Sequence, residues 1–270
     1  MGWWVGGLVG WWVGGLVGWW VGELVVGGWW LVVGGWRDRV TRRCKIYSGI
    51  PSAKGTNVQL LTEDDLGNLL GTTAPSRRLV ARTLERYSEP HRSYHDTAHV
   101  LAVASRISTL CRTMPMVHRD AVLWAALFHD AIYDPRSSTN EADSAALATE
   151  ELRSVGVDAA SVDEIARLIL LTSGHEVSEG DHNGAVLVDS DLAVLGATAE
   201  EYRRYVNGVR REYSFVPDAE WRIGLRRVLT NLLAVPRLFS TELMRPREST
   251  ARSNMRAELL SLGDEHPVIA

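Results

Sequence analysis

Three of the chain's eight histidines stand where metal or proton chemistry would place them. His95 and His99, in YHDTAH, are four residues apart and share a face of any helix that includes both. His129 and Asp130 close the run LWAALFHD, behind Leu123, Trp124, Ala125, Ala126, Leu127 and Phe128, residues that call for burial on nearly all sides. In VLVDSDLAVLG, Asp189 and Asp191 interrupt Val186, Leu187, Val188, Leu192, Val194 and Leu195. A carboxylate buried without a partner is expensive, and three apolar segments that each turn an acid or an imidazole inward can offset that cost around one cation. Neighbouring helix residues point about 100° apart, so His129 and Asp130 can reach the same ion only if it lies off the helix between them. Mixed histidine and carboxylate ligation suits manganese, iron, zinc, cobalt or nickel, with magnesium where carboxylates and waters dominate. The alternative is a buried hydrogen-bonded network without metal.

The elements that must hold these residues are helical. From about residue 62 the apolar residues recur at helical spacing, with short polar joints and no sustained alternation, so an all-α bundle is expected over residues 61–265. Capping boxes are expected where a hydroxyl precedes a carboxylate by three: Ser138 with Glu141, Ser161 with Glu164, Thr198 with Glu201. Gly156, Gly174 and Gly196 stand where left-handed terminating residues belong. Further helices are expected at 76–87, 95–112, 119–132, 184–195, 218–234 and 248–262, with Pro217 and Pro236 bracketing the fifth of these.

Residues 1–36 differ in kind. WWVGGLVG occurs at 3–10 and again at 11–18, then decays, which is a low-complexity repeat. It is read as disordered or as upstream sequence included by a misplaced start. A membrane anchor is the alternative, with Arg37, Arg39, Arg42, Arg43 and Lys45 on its cytoplasmic side. Against the anchor, glycine costs about 1 kcal/mol relative to alanine at each helical position, and the tryptophans run through the stretch rather than marking two interfaces. Residues 37–60 read as a linker. The net charge of −4 gives no basic excess, so nucleic acid is not expected as an obligatory partner. Cys44 and Cys111 are too far apart in sequence for a cysteine zinc motif and too few for a disulfide scaffold, so a reducing, cytoplasmic setting is expected, or the cytoplasmic face of a membrane if residues 1–36 insert.

The order Tyr94-His95-x-x-x-His99, then His129-Asp130, then Asp191-Leu192 resembles the HD superfamily of metal-dependent phosphohydrolases, and most closely a bacterial branch of predicted HD phosphohydrolases. The likeness covers about residues 76–262, through SEPHRSYHDTAH, LFHDAIYDP, NEADSA, VDSDLAVLG, VRREY and ESTARSNMRAEL. It implies an HD-type helical bundle in which His99, His129, Asp130 and Asp191 ligate the metal, with Asp189 as the fallback, and His95 protonates the leaving group. Asp96 replaces the asparagine of the related phosphodiesterase motif, which weakens any extension to cyclic nucleotides.

The implied activity is hydrolysis of a phosphate ester of a small molecule, most plausibly a nucleotide. Arg92 and Arg210 are candidates to hold the substrate anion, with Arg222 or Arg226 in reserve. Glu141 would orient water or a ligand histidine, unless it serves only as the helix cap. His175, just past Gly174, is a candidate site residue able to point back at a phosphate or a second ion, whereas His182 reads as a solvated loop histidine. Two other readings compete. One is a dinuclear centre of the kind found in iron-dependent oxygenases that resemble the superfamily. The other is a nucleotide-binding regulatory module without turnover. Oligomeric state is not readable from the sequence.

Overall fold

The computed structural model describes residues 60–263, and the expectations for residues 1–36 and nearly all of the linker lie outside that range. The described residues form ten α-helices, two short 3-10 helices and no strand, as the spacing of apolar residues predicts. In chain order the α-helices are α1 (Glu63–Leu70), α2 (Ala74–Arg86), α3 (Thr97–Leu110), α4 (Arg119–Phe128), α5 (Asn140–Ser154), α6 (Ala159–Leu171), α7 (His182–Asp191), α8 (Ala199–Glu212), α9 (Asp218–Ala234) and α10 (Glu248–Ser261). None is long and apolar enough to cross a membrane.

Three of these helices matter most. α3, α4 and α7 pack against one another, and Val100, Val103 and Ile107, Leu123 and Leu127, and Val186 and Leu187 join one buried core. Burying each such side chain stabilises the fold by about 1.5–3 kcal/mol. α5 and α6 form a hairpin whose joint contains Gly156 at φ +83°, and both pack on α4. α8 and α10 rest on the 3-10 helix Leu192–Gly196 that continues from α7.

The helix ends depart from expectation in ways that shape the site. α3 begins at Thr97, not 95, because the Asp96 side chain accepts the His99 N–H and ends the helix there. His95 therefore lies outside the helix that carries His99. α4 stops at Phe128 instead of 132. The Asp130 and Ala131 carbonyls are taken by the Arg92 guanidinium, and the Tyr87 hydroxyl bridges the Leu127 carbonyl and the Asp130 N–H. The helix expected over 184–195 is divided at Asp191.

Of the three expected capping boxes, Thr198 with Glu201 forms in full. α6 is capped instead by Asp158, which accepts the Ser161 N–H, while Glu164 pairs with Arg167 and Asn183. At α5 the N-cap position belongs to Thr139, whose hydroxyl donates to Asp143, so Ser138 and Glu141 make no box. A box not anticipated joins Thr62 and Asp65 at α1. The left-handed position after α6 falls on His175, at φ +56°, and not on Gly174.

Candidate metal centre

The early end of α4 lets a histidine and its neighbouring aspartate face one point. His129 Nδ1 is 2.7 Å from the Ala126 carbonyl, so it carries the proton and leaves the Nε2 lone pair available. Nε2 stands 3.0 Å from Asp130 Oδ2, 3.2 Å from His99 Nε2 and 3.7 Å from Asp191 Oδ1. His99 Nε2 is 3.2 Å from Asp191 Oδ1 and 3.7 Å from Asp130 Oδ2. Ligand atoms held about 2.0–2.2 Å from one ion lie roughly 2.8–3.6 Å apart in octahedral or tetrahedral geometry, so the 3.0 and 3.2 Å spacings fit a shared divalent cation and the two at 3.7 Å lie just beyond that range. Both imidazoles are buried.

Charge agrees with spacing. Burial should raise the pKa of Asp130 and Asp191, yet His129 and the other imidazoles hold both carboxyls below their ordinary range. Burial opposes a charge on His129, and the two carboxylates nevertheless push its pKa well up. The cluster is built to hold positive charge. Among the described residues, His99, His129 and Asp191 form the one group of side chains at metal-ligand spacing, with Asp130 beside it.

Residues 97–204 match the family model of the HD domain. Over that stretch the chain is similar to the HD domain. Searches of curated proteins and of solved structures found no match. HD domains bind divalent metals, and the histidine and aspartate cluster lies wholly inside the matched stretch.

Asp189, two residues before Asp191, has another task. Its carboxylate is fully buried and accepts the Ser240 and Thr241 N–H groups and the Thr241 hydroxyl at 2.6–2.8 Å. It anchors the loop before α10 and is not part of the cluster.

A cavity of about 360 Å³ opens beside the HD cluster. His95 lines it, and Glu212 holds the ring: Oε2 accepts from His95 Nδ1 at 2.7 Å and from the Tyr133 hydroxyl at 2.8 Å, while Oε1 accepts the Ser93, Tyr94 and His95 N–H groups. Burial would raise the Glu212 pKa, but His95 and these backbone donors hold it down at about 2. For His95 burial opposes the charge, and Glu212, Asp130 and Asp191 together outweigh it, so the imidazole titrates above its ordinary range. The Nε2 atom is left to face a ligand.

Glu212 was missed in the sequence, although a signal was present. It follows Val209 by three residues on an amphipathic helix, so the carboxylate falls on the buried face. Gly208 permits the approach, since a Cβ there would stand 2.9 Å from the Ser93 carbonyl oxygen and from Tyr94 Cβ.

His175 and Glu141 both line the cavity. His175 Nε2 is 3.0 Å from Asp191 Oδ2, on the side away from His99, and its Nδ1 is buried without a partner. Its left-handed backbone costs about 1–3 kcal/mol, strain of the kind concentrated at functional sites. Glu141, in the first turn of α5, has its pKa raised, chiefly by burial. His182 is exposed at the start of α7 and does not line the cavity.

The two arginines expected to hold the substrate are placed elsewhere. Arg92 is buried and committed to Glu89 and to the carbonyls of His95, Asp130 and Ala131. Arg210 bonds the Tyr213 and Val216 carbonyls and Asp218 at the end of α8. Neither lines the cavity, because both satisfy carbonyls that helix ends leave open.

Proposed function

We propose that this protein hydrolyses phosphate esters of small molecules, nucleotides foremost, with a divalent cation held by His99, His129, Asp130 and Asp191. The observation that carries this reading is the convergence of donor atoms from His99, His129 and Asp191, with Asp130 beside the two histidines, next to a cavity to which His95, gripped by Glu212, presents its second ring nitrogen. A divalent ion in that position would supply Lewis acidity, drawing charge from a phosphoryl oxygen and acidifying a nearby water.

The chain's own residues do the rest. His95, held in its protonated form by Glu212, donates from Nε2 to the departing oxygen. As the ester P–O bond breaks and the water oxygen bonds to phosphorus, the water's proton passes to Glu141 or to solvent, giving an alcohol and inorganic phosphate. His175 fixes the orientation of Asp191 through the Oδ2 contact. A single-ion centre is favoured over the dinuclear oxygenase reading, because His182 stays outside the cavity. We place the reaction in a reducing cytoplasm, consistent with the free thiol of Cys111.

The test is a panel of nucleotides and sugar phosphates offered to protein stripped of metal and then reloaded with manganese, cobalt, nickel, zinc or magnesium. Turnover restored by at least one ion, and lost in His129→Ala and Asp191→Ala together with bound metal, supports the proposal. Silence across the panel, or variants that retain full metal content, defeats it.

A further inference from the structure

The cavity lining is of two kinds. His95, His129, Asp130, Glu141, His175 and Asp191 make up one; Leu192, Val194, Leu195, Tyr205, Val228 and Leu232 make up the other, and four of these, Leu195, Tyr205, Val228 and Leu232, also line an adjoining apolar pocket, which sets them together as a wall. No lysine or arginine lines the cavity, and the nearby guanidinium of Arg92 is already satisfied. Polyphosphates are held by several cationic groups. Here the positive charge available to a substrate would be confined to the proposed cation and the His95 proton, with the Glu141 carboxyl lining the same cavity.

Resting on the phosphohydrolase reading, we infer that the substrate is a phosphomonoester whose body is uncharged and apolar, with the phosphate at the histidines and the body against the leucine and valine wall. Alkyl phosphates meet this description in full, nucleoside monophosphates meet its limit on charge, and nucleoside triphosphates meet neither part. The volume agrees with the charge, since about 360 Å³ lies toward the small end of ligand pockets, which span roughly 300–1,000 Å³.

Two measurements on the full chain, with manganese in excess, test the inference. The first is the Kd of ethyl-, butyl- and hexylphosphonate, which cannot be hydrolysed at an ester bond. Each methylene that meets the wall should tighten binding roughly fourfold, and Val194→Arg should flatten the series. The second compares kcat/KM for adenosine mono-, di- and triphosphate, which should fall at each added phosphate. A flat phosphonate series in the unsubstituted protein, or faster turnover of the triphosphate, overturns the inference. The phosphonate series depends on binding alone, so it decides the role of the wall even if no ester is turned over and the hydrolase reading fails.

Discussion

His95 is tied at one ring nitrogen and free at the other, which separates its role from that of the ligands. Replacing it with glutamine should lower kcat by about 10²–10⁴-fold on an alkyl phosphate and much less on an ester with an acidic phenol as leaving group. Metal content, read by elemental analysis, should not change. An equal loss on both esters would mean the ring does not deliver the proton. Glu212 makes a prediction about acid stability. With its pKa lowered from 4.5 to about 2, its contribution is fully present above pH 4.5 and is lost as the pH falls toward 2. Glu212→Gln should therefore cost on the order of 2 kcal/mol near neutrality and lose less stability than the parent in acid, as judged by urea unfolding at several pH values. That His99, His129 and Asp191 come together was legible in the sequence because imidazoles and carboxylates amid apolar runs demand a partner. Glu212 was not, because one acid among the charged residues of AEEYRRYVNGVRRE looks like part of a solvated face until its helix is set against the Ser93–His95 backbone.

At the level of elements, the site depends on helices that end early and on one that comes close. α4 releases His129 and Asp130 at its terminus, α3 starts one residue after Asp96, and α8 slides against the Ser93–Tyr94 backbone at Gly208. Gly208→Ala should push α8 away, lowering stability by about 1–3 kcal/mol. It should also reduce kcat through a displaced Glu212, with metal binding intact. Unchanged kinetics in a destabilised variant would show that the close approach serves packing alone. Periodicity was enough to find α9, expected and observed at 218–234. It failed at the ends of α3 and α4, where long-range partners decide: Arg92 and Tyr87 compete for the last turn of α4. Local sequence also misled at α6, where Asp158 accepts the amide that the Ser161 pattern had assigned elsewhere.

For the molecule as a whole, the proposed ligands come from three packed segments, so an ion bound there would tie α3, the end of α4 and α7 into one unit. Metal at about 100 times its Kd should stabilise the fold by roughly 2.7 kcal/mol, raising Tm in calorimetry, and Asp191→Asn should abolish that rise. A chain beginning at residue 60 is expected to keep the metal-dependent Tm shift and the turnover of the full protein, since every proposed site residue lies between 92 and 232. Loss of either on truncation would assign residues 1–59 a part in the site.

Arg92 carries a practical lesson for mutagenesis. Its guanidinium grips the carbonyls of both His95 and the Asp130 turn, so an alanine scan would score it among the most damaging positions although it does not line the cavity. The loss would look like a missing phosphate contact. A lysine in its place retains the charge but not the forked geometry, and should be nearly as damaging as alanine, which distinguishes a clamp on the backbone from an anion receptor.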